Sequence, residues 1–185
     1  MKPRPWKVTA SRRDASYRVF GIRTDKARSP RTGCDHHFHV LESPPWVNVI
    51  PLTEQNDVVM IHQYRHGIQG VTLEIPGGLV EAGDTPESAA IRELREETGY
   101  AGSEVILLGK IHPNPAIQNN DCYTYLVRNV VPVGRQLQDD KEDIEVVLHQ
   151  VADIPRLIRE RTITHSLVIV AFYQYFMEYL QNESP

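Results

Sequence analysis

Cysteine is scarce in this chain. Cys34 and Cys122 are the whole complement, too few for a disulfide framework, so a reduced, cytosolic setting is the expectation. No apolar run approaches the ~20 residues needed to cross a bilayer. The opening MKPRPWKVTASRRDA carries basic residues but no apolar stretch behind them, so no cleaved secretion signal is expected there. A basic excess is also missing. The net charge of −4 offers no positive field to nucleic acid or anionic lipid, and an anionic substrate would need arginines placed locally. Internal repeats and low-complexity tracts are absent. The remainder is ordinary: 41% hydrophobic and 24% charged residues argue against disorder, and 185 residues favour one domain with a sizeable core.

The most informative stretch is Glu74 to Tyr100, EIPGGLVEAGDTPESAAIRELREETGY. Thr85 reads as a helix N-cap, Pro86 as the first helical residue, Glu87 as a partner for the helix dipole, and Gly99 as the stop. At 3.6 residues per turn, Ile91, Leu94 and Thr98 are expected on one side, and Glu93, Glu96 and Glu97 share an arc opposite. Like charges at such spacings repel by a few tenths of a kcal/mol per pair on a solvated helix. Arg92 flanks them, and Ala89 and Ala90 leave room nearby. A hard divalent cation with oxygen ligands would suit this arrangement. Taken alone, the three glutamates fit a plain solvated face better than a metal site. Asp84, just before the helix, suits a cap or a dipole partner.

Gly78, Asp84, Arg92-Glu93-Leu94, Glu96-Glu97 and Gly99-Tyr100 together resemble the Nudix box. That pattern is a glycine, five residues, a glutamate, seven residues, then R-E-U-x-E-E-x-G-U with U apolar. Asp84 stands at the first glutamate position. Further along, Gln63-Tyr64-Arg65, LEIPGG at 73–78 and EDIEV at 142–146 resemble the ADP-ribose and nucleotide-sugar branch of that family, over about residues 46–180. Pro115, sixteen positions after Gly99, is similar to a marker of ADP-ribose pyrophosphatases.

The resemblance implies an α+β Nudix fold: a mixed β-sheet sandwiched between α-helices, with an N-terminal antiparallel strand extension over 1–45 and the catalytic domain over 46–185. The extension implies homodimer contacts. The resemblance also implies Mg2+, with Mn2+ as substitute, held by Glu93, Glu96, Glu97 and the Gly77 carbonyl. Arg92 would orient the glutamates. Glu142, with Asp140 as a neighbour, is the candidate base or ligand on a closing loop. Arg65 would grip the diphosphate with a planar fork. Glu74 is read as paired with an arginine or touching substrate, the pairing being favoured because an isolated charge on an apolar strand is costly. Trp46 is read as a core residue or a stacking platform. From ADP-ribose the products would be AMP and ribose 5-phosphate. Two other readings stand beside this one: a hydrolase of dinucleoside polyphosphates, NADH or RNA 5′ ends, and a non-catalytic module that binds a nucleotide sugar.

Elsewhere, Ser16–Thr24 and Cys34–Leu41 read as a strand pair around the turn Ser29–Gly33. Cys34, His36, His37 and His39 raise a zinc question, but the strand period puts them on opposite faces, so a surface role is expected. Strands are predicted at Trp46–Leu52, Asp57–Tyr64, Val71–Ile75, Glu104–Ile111, Cys122–Asn129 and Ile144–Leu148, with Val130–Val133 a further apolar run. His112–Asp121 is a polar loop that suits a substrate-facing rim. Asp153 is expected to cap a helix over Pro155–Glu160. A last helix from His165-Ser166 to Leu180 should bury Leu167, Val170, Ala171, Phe172, Tyr175 and Tyr179.

Overall fold

The computed structural model describes residues 2–138 and 143–179. The chain divides into two compact units, Met1–Pro44 with His112–Asp121, and Pro45–Ile111 with Cys122–Pro185.

The first unit is a three-stranded antiparallel sheet in the order β1 (Lys7–Ser16), β2 (Gly21–Arg28), β3 (Asp35–Glu42). Sequence reading expects two strands here and runs the first from Ser16 across to Thr24. That span is instead broken by the β1–β2 turn, closed by the Tyr17 N–H donating to the Phe20 carbonyl at 2.8 Å. The missed strand, KVTASRRDAS, is exposed almost throughout, so no apolar alternation marks it. Charge pairs knit the sheet instead: Arg23 with Asp25 and Glu42, and Arg28 with Asp35. Trp6 packs edge-on against His36 and Phe38, with ring centroids 5.6 and 5.2 Å apart. On the opposite face His39 Nδ1 meets the Thr24 hydroxyl at 2.8 Å. The polar loop belongs to this unit. Its Ile117 carbonyl accepts from the Leu41 N–H at 2.8 Å, and its Pro115 is exposed.

The second unit is built on a mixed sheet. Its spine runs β12 (Ile144–Gln150), β5 (Asp57–Arg65), β4 (Trp46–Leu52), β10 (Cys122–Arg128), β9 (Glu104–Ile111), with β6 (Gly70–Glu74) beside β5 and β7 (Gly77–Leu79) beside β4. Among the described residues only β4 and β10 run parallel within it. β4 reads WVNVIPL, apolar almost without break, because both its faces are covered. Val47 and Val49 pack with Val59, Tyr125 and Val127 beneath α1 (Pro86–Thr98), through Ala89, Ala90 and Leu94. Ile50 and Leu52 pack with Val58, Met60 and Leu126 against α2 (Ile154–Arg159) and α3 (Ser166–Tyr173). A short ladder of β8 (Tyr100–Ala101) with β11 (Val131–Pro132) follows α1. The helices thus sandwich a mixed sheet, as the family resemblance implies.

Three local expectations give way. Asp153 does not cap α2: it ends a 3-10 turn with helical φ/ψ of −80/−20, whereas an N-cap needs extended backbone, and its carboxylate takes Arg156 at 3.2 Å. The last helix is α-helical only to Tyr173 and continues as a π-helical segment, Gln174–Tyr179, while Leu180 lies outside the described residues. Its buried side includes Val168, with Leu167 and Val170 only half-buried.

Candidate active site

α1 is bounded as its sequence requires. The Thr85 hydroxyl accepts from the Ser88 N–H at 3.1 Å, the Ser88 hydroxyl accepts from the Thr85 N–H at 2.9 Å, and Pro86 starts the first turn. Gly99 ends the helix with φ 74. The buried side is Ala89, Ala90, Leu94, Glu97 and Thr98, whereas Ile91 is 44% exposed. The expected apolar stripe through Ile91 is therefore corrected. Packing against β4 turns the two alanines inward, and Glu97 shares that inward side because it has a polar partner there.

The partner is the backbone of β7. The Gly77 N–H donates to Glu97 Oε2 at 2.9 Å, deep enough that Glu97 is only 4% exposed. The two glycines of β7 have separate reasons. A side chain at Gly77 would collide with the Val47 carbonyl of β4 and stand 3.0 Å from Asn48 Oδ1. A side chain at Gly78 would occupy the space of the Glu93 carboxylate. The helix glutamates therefore lie directly over bare backbone, which only glycine permits.

Arg92 gathers the remaining charge. Its Nη1 donates to Glu93 Oε1 at 2.9 Å and to Glu96 Oε2 at 3.1 Å, and its Nε and Nη2 both reach Asp84 Oδ2 at 3.1 Å. A further bond goes to the Leu79 carbonyl at 3.1 Å, which ties the glycine loop to the helix. Asp84 is thus Arg92's clamp and not a helix cap. Partial burial works against the guanidinium's charge, but Glu93, Glu96 and Asp84 outweigh it and push the Arg92 pKa above the ordinary arginine value. Among the described residues no three acidic, imidazole or thiol groups gather as a ready metal cluster.

At the far end of β5, Arg65 forks onto Glu74, Nε to Oε1 and Nη2 to Oε2, both at 2.8 Å. Burial tends to raise the Glu74 pKa, but Arg65, helped by the Thr72 hydroxyl, holds it below the usual value. Burial likewise opposes charge on Arg65, which Glu74 and then Glu97 more than offset. Trp46 opens β4 half-buried, with its indole N–H on Asn48 Oδ1 at 3.0 Å. Pro115 sits in the polar loop of the first unit, and Glu142 and Asp140 lie outside the described residues.

Two residues escape sequence reading. Asn48 is a buried amide that accepts from Trp46 and donates to the Leu167 carbonyl at 3.2 Å. A lone polar residue inside WVNVIPL was its available signal. His165, read only as a helix start, has a buried Nδ1 with no hydrogen-bond partner among the described residues. Burial lowers its pKa, while the Glu74 charge pulls it up and the Arg65 charge pushes it down. Nothing local in the sequence announces that position.

Residues 42–168 match the NUDIX domain. The chain is 27% identical over 183 residues to the ADP-ribose pyrophosphatase of Bacillus subtilis (strain 168), covering 98% of this chain and 95% of that protein. It is 28% identical over 167 residues to the methanol dehydrogenase activator of Bacillus methanolicus, covering 90% and 87%. A solved structure described as an ADP compounds hydrolase superposes with a TM-score of 0.85 over 100% of this chain and 98% of its own, a likeness of fold at 18% identity. A domain match over most of the chain, spanning the helix whose glutamates rest on a glycine pair, places this protein among the Nudix hydrolases.

Proposed function

We propose that this Nudix hydrolase cleaves the diphosphate linkage of ADP-ribose, or of a similar nucleoside diphosphate sugar, in a reaction that depends on a divalent cation. The products from ADP-ribose are AMP and ribose 5-phosphate. The observation that carries the reading is the seating of Glu93 and Glu97 on Gly78 and Gly77: two carboxylates held over bare backbone, with Glu96 beside them. The Bacillus subtilis relative, named for ADP-ribose, supports the substrate class.

The donor set fits a hard cation, all of it oxygen: Glu93, Glu96, Glu97 and the Gly77 carbonyl, with Glu142 as a further candidate. Mg2+, or Mn2+ in its place, supplies charge neutralisation at the diphosphate and acidifies the attacking water when bound. The protein's own groups do the positioning. Arg92 spaces Glu93 from Glu96 and ties both to the glycine loop through Leu79 and Asp84. Arg65 spends two donors on Glu74, and a guanidinium has five N–H groups, so three remain for phosphate oxygens. Glu74 fixes the plane in which they point. Trp46, with its N–H committed to Asn48, serves packing in this reading, and Pro115 receives no role.

A hydrolysis screen with Mg2+ against ADP-ribose, GDP-mannose, UDP-glucose, NADH and diadenosine polyphosphates tests the substrate class, with ADP-ribose expected to lead. Glu97→Gln tests the site. An amide carbonyl can still accept the Gly77 N–H, so the fold survives while hydrolysis drops by about 100-fold or more. Undiminished turnover in that variant overturns the assignment. We also infer a cytosolic homodimer joined through the N-terminal sheet, where Trp6, Val8 and Phe38 are 45%, 53% and 44% exposed. Light scattering is expected to give twice the chain mass, and a monomer refutes the dimer.

A further inference from the structure

The last four carbonyls of a helix lack partners within it. At the end of α1 the segment that follows β11 supplies partners for two of them, at Glu96 and Glu97. The Leu137 N–H donates to the Glu96 carbonyl at 2.8 Å, and the Gln136 side-chain amide donates to the Glu97 carbonyl at 2.6 Å. Just before, the Val133 and Gly134 N–H groups both reach the Gly99 carbonyl, at 2.8 and 3.3 Å. The segment lies so close that a side chain on Gly99 would stand 2.5 Å from the Gly134 carbonyl. The same Gln136 nitrogen also donates to the Ile144 carbonyl at 3.2 Å, so one amide ties the helix end to the first residue of β12. Gln138 then clasps Ile144 twice, donating to its carbonyl at 2.8 Å and accepting from its N–H at 3.3 Å.

Glu97 is consequently held from both ends. Its carboxylate is fixed by the Gly77 N–H and its main chain by Gln136, whose amide does a job that elsewhere on this strap falls to backbone N–H groups. We propose that Gln136 is a positioning residue for Glu97 and that it sets the protein's affinity for the divalent cation. The proposal rests on the reading of Glu97 as a cation ligand. Among the described residues Gln136 donates to carbonyls of the chain, those of Glu97 and Ile144; it acts by keeping the last turn of α1 from fraying at the residue whose carboxylate must stay over Gly77. One hydrogen bond lost at a positioning group corresponds to roughly a three- to tenfold change in an equilibrium constant.

The test is Gln136→Met, which keeps the length and removes the donor, with Gln136→Ala as a second variant should the first fold poorly. Mn2+ binding is followed by the loss of the free-ion EPR signal. Half-occupancy is expected at roughly three- to tenfold higher Mn2+ in both variants. At saturating cation, turnover should return to within about twofold of the parent and KM for ADP-ribose should be unchanged, a recovery that general damage to the fold would not give. Ile163→Val, a buried change in the other core layer, is the control: it lowers the melting temperature and leaves Mn2+ affinity alone. If the parent binds Mn2+ and the Gln136 variants bind it equally well, the strap has no positioning role and only this inference falls. If the parent protein itself takes up no Mn2+, the cation reading falls and this inference falls with it.

Discussion

The two glycines of β7 are adjacent, yet an added methyl group should do opposite things at each. In Gly77→Ala the new carbon meets the Val47 carbonyl, a backbone atom inside the sheet that cannot move without disturbing the β4–β7 ladder. Overpacking of that kind costs about 1–3 kcal/mol, which for a chain of this size lowers the melting temperature by roughly 2–12 °C. In Gly78→Ala the three atoms nearest the new carbon all belong to the carboxylate of Glu93, the far end of a flexible side chain. Glu93 can swing toward solvent and surrender its bond to Arg92, a partly buried contact (side chains 27% and 12% exposed) worth about 1 kcal/mol while Arg92 keeps Asp84 and Glu96, so melting should fall by no more than ~4 °C. The site, however, loses a carboxylate from its place, and hydrolysis of ADP-ribose should drop about 100-fold or more. Differential scanning calorimetry and a phosphate-release assay with coupled AMP cleavage, run on both variants, separate the cases. A Gly78→Ala protein within threefold of parental activity would refute the reasoning, because the glutamate would then have no need of its seat. So would a Gly78→Ala melting loss as large as that of Gly77→Ala.

Arg65→Lys keeps a positive charge but gives up the fork, so KM for ADP-ribose should rise about tenfold with a melting loss of only a few degrees. Arg65→Met strands the Glu74 carboxylate, 3% exposed, and should cost about 2–4 kcal/mol, below the figure for a fully buried pair because Arg65 is 30% exposed; equal melting temperatures for the two variants would contradict this. His165 supplies a pH test. Its folded pKa lies below the ordinary 6.5, so the unfolded chain takes up the proton first, and stability that is complete above about pH 6.5 is lost as pH falls toward the folded value. His165→Gln cannot titrate. Relative to that variant the parent should lose melting temperature between about pH 7 and pH 5, and parallel curves across that window would show the imidazole to be freely protonated in the fold.

What could be read in advance follows the range of the signal. Thr85-Pro86 and Gly99 mark α1 because caps and stops are written within a few residues of the backbone they satisfy. WVNVIPL marks β4 because burial on both faces leaves no polar period. β1 is invisible for the converse reason: it pairs along one edge, buries almost nothing, and so carries no pattern. The helix wheel misplaces Ile91 and Glu97 because hydropathy ranks isoleucine inward, while the choice is made by a neighbour, the Gly77 N–H, that the wheel does not contain. The site was legible as a motif, whereas its supports were not. Gln136 reaches across 39 positions to the Glu97 carbonyl, and the surroundings of His165 lie on β5 and β6, far from it in the chain.

The charge around α1 argues for the same conclusion as the motif. Asp84, Glu93 and Glu96 share one guanidinium, and Glu97 adds a fourth carboxylate within the same short stretch of chain. On an open helix such crowding is a matter of tenths of a kcal/mol. Here it is not open: the side chain of Glu93 is 12% exposed, and Glu97 is nearly buried. With water partly excluded, two like charges 4 Å apart repel by up to about 4 kcal/mol at an effective dielectric of 20. A helix selected for stability alone would carry neutral residues at these positions, as it does at Ala89 and Ala90 one turn earlier. Sites that break a local rule in this way are usually held for function, and the rule-breaking has a thermal signature. Replacing Glu97 by glutamine removes one charge and keeps its hydrogen bond, so the variant that loses hydrolysis should melt no lower than the parent in metal-free buffer. Added Mg2+ should raise the parent's melting temperature by more than the variant's, since a cation that binds only the folded state stabilises it in proportion to its occupancy. A parent that gains nothing from Mg2+ would leave the four crowded carboxylates to the guanidinium that three of them share, and the physical case for a cation site without its main support.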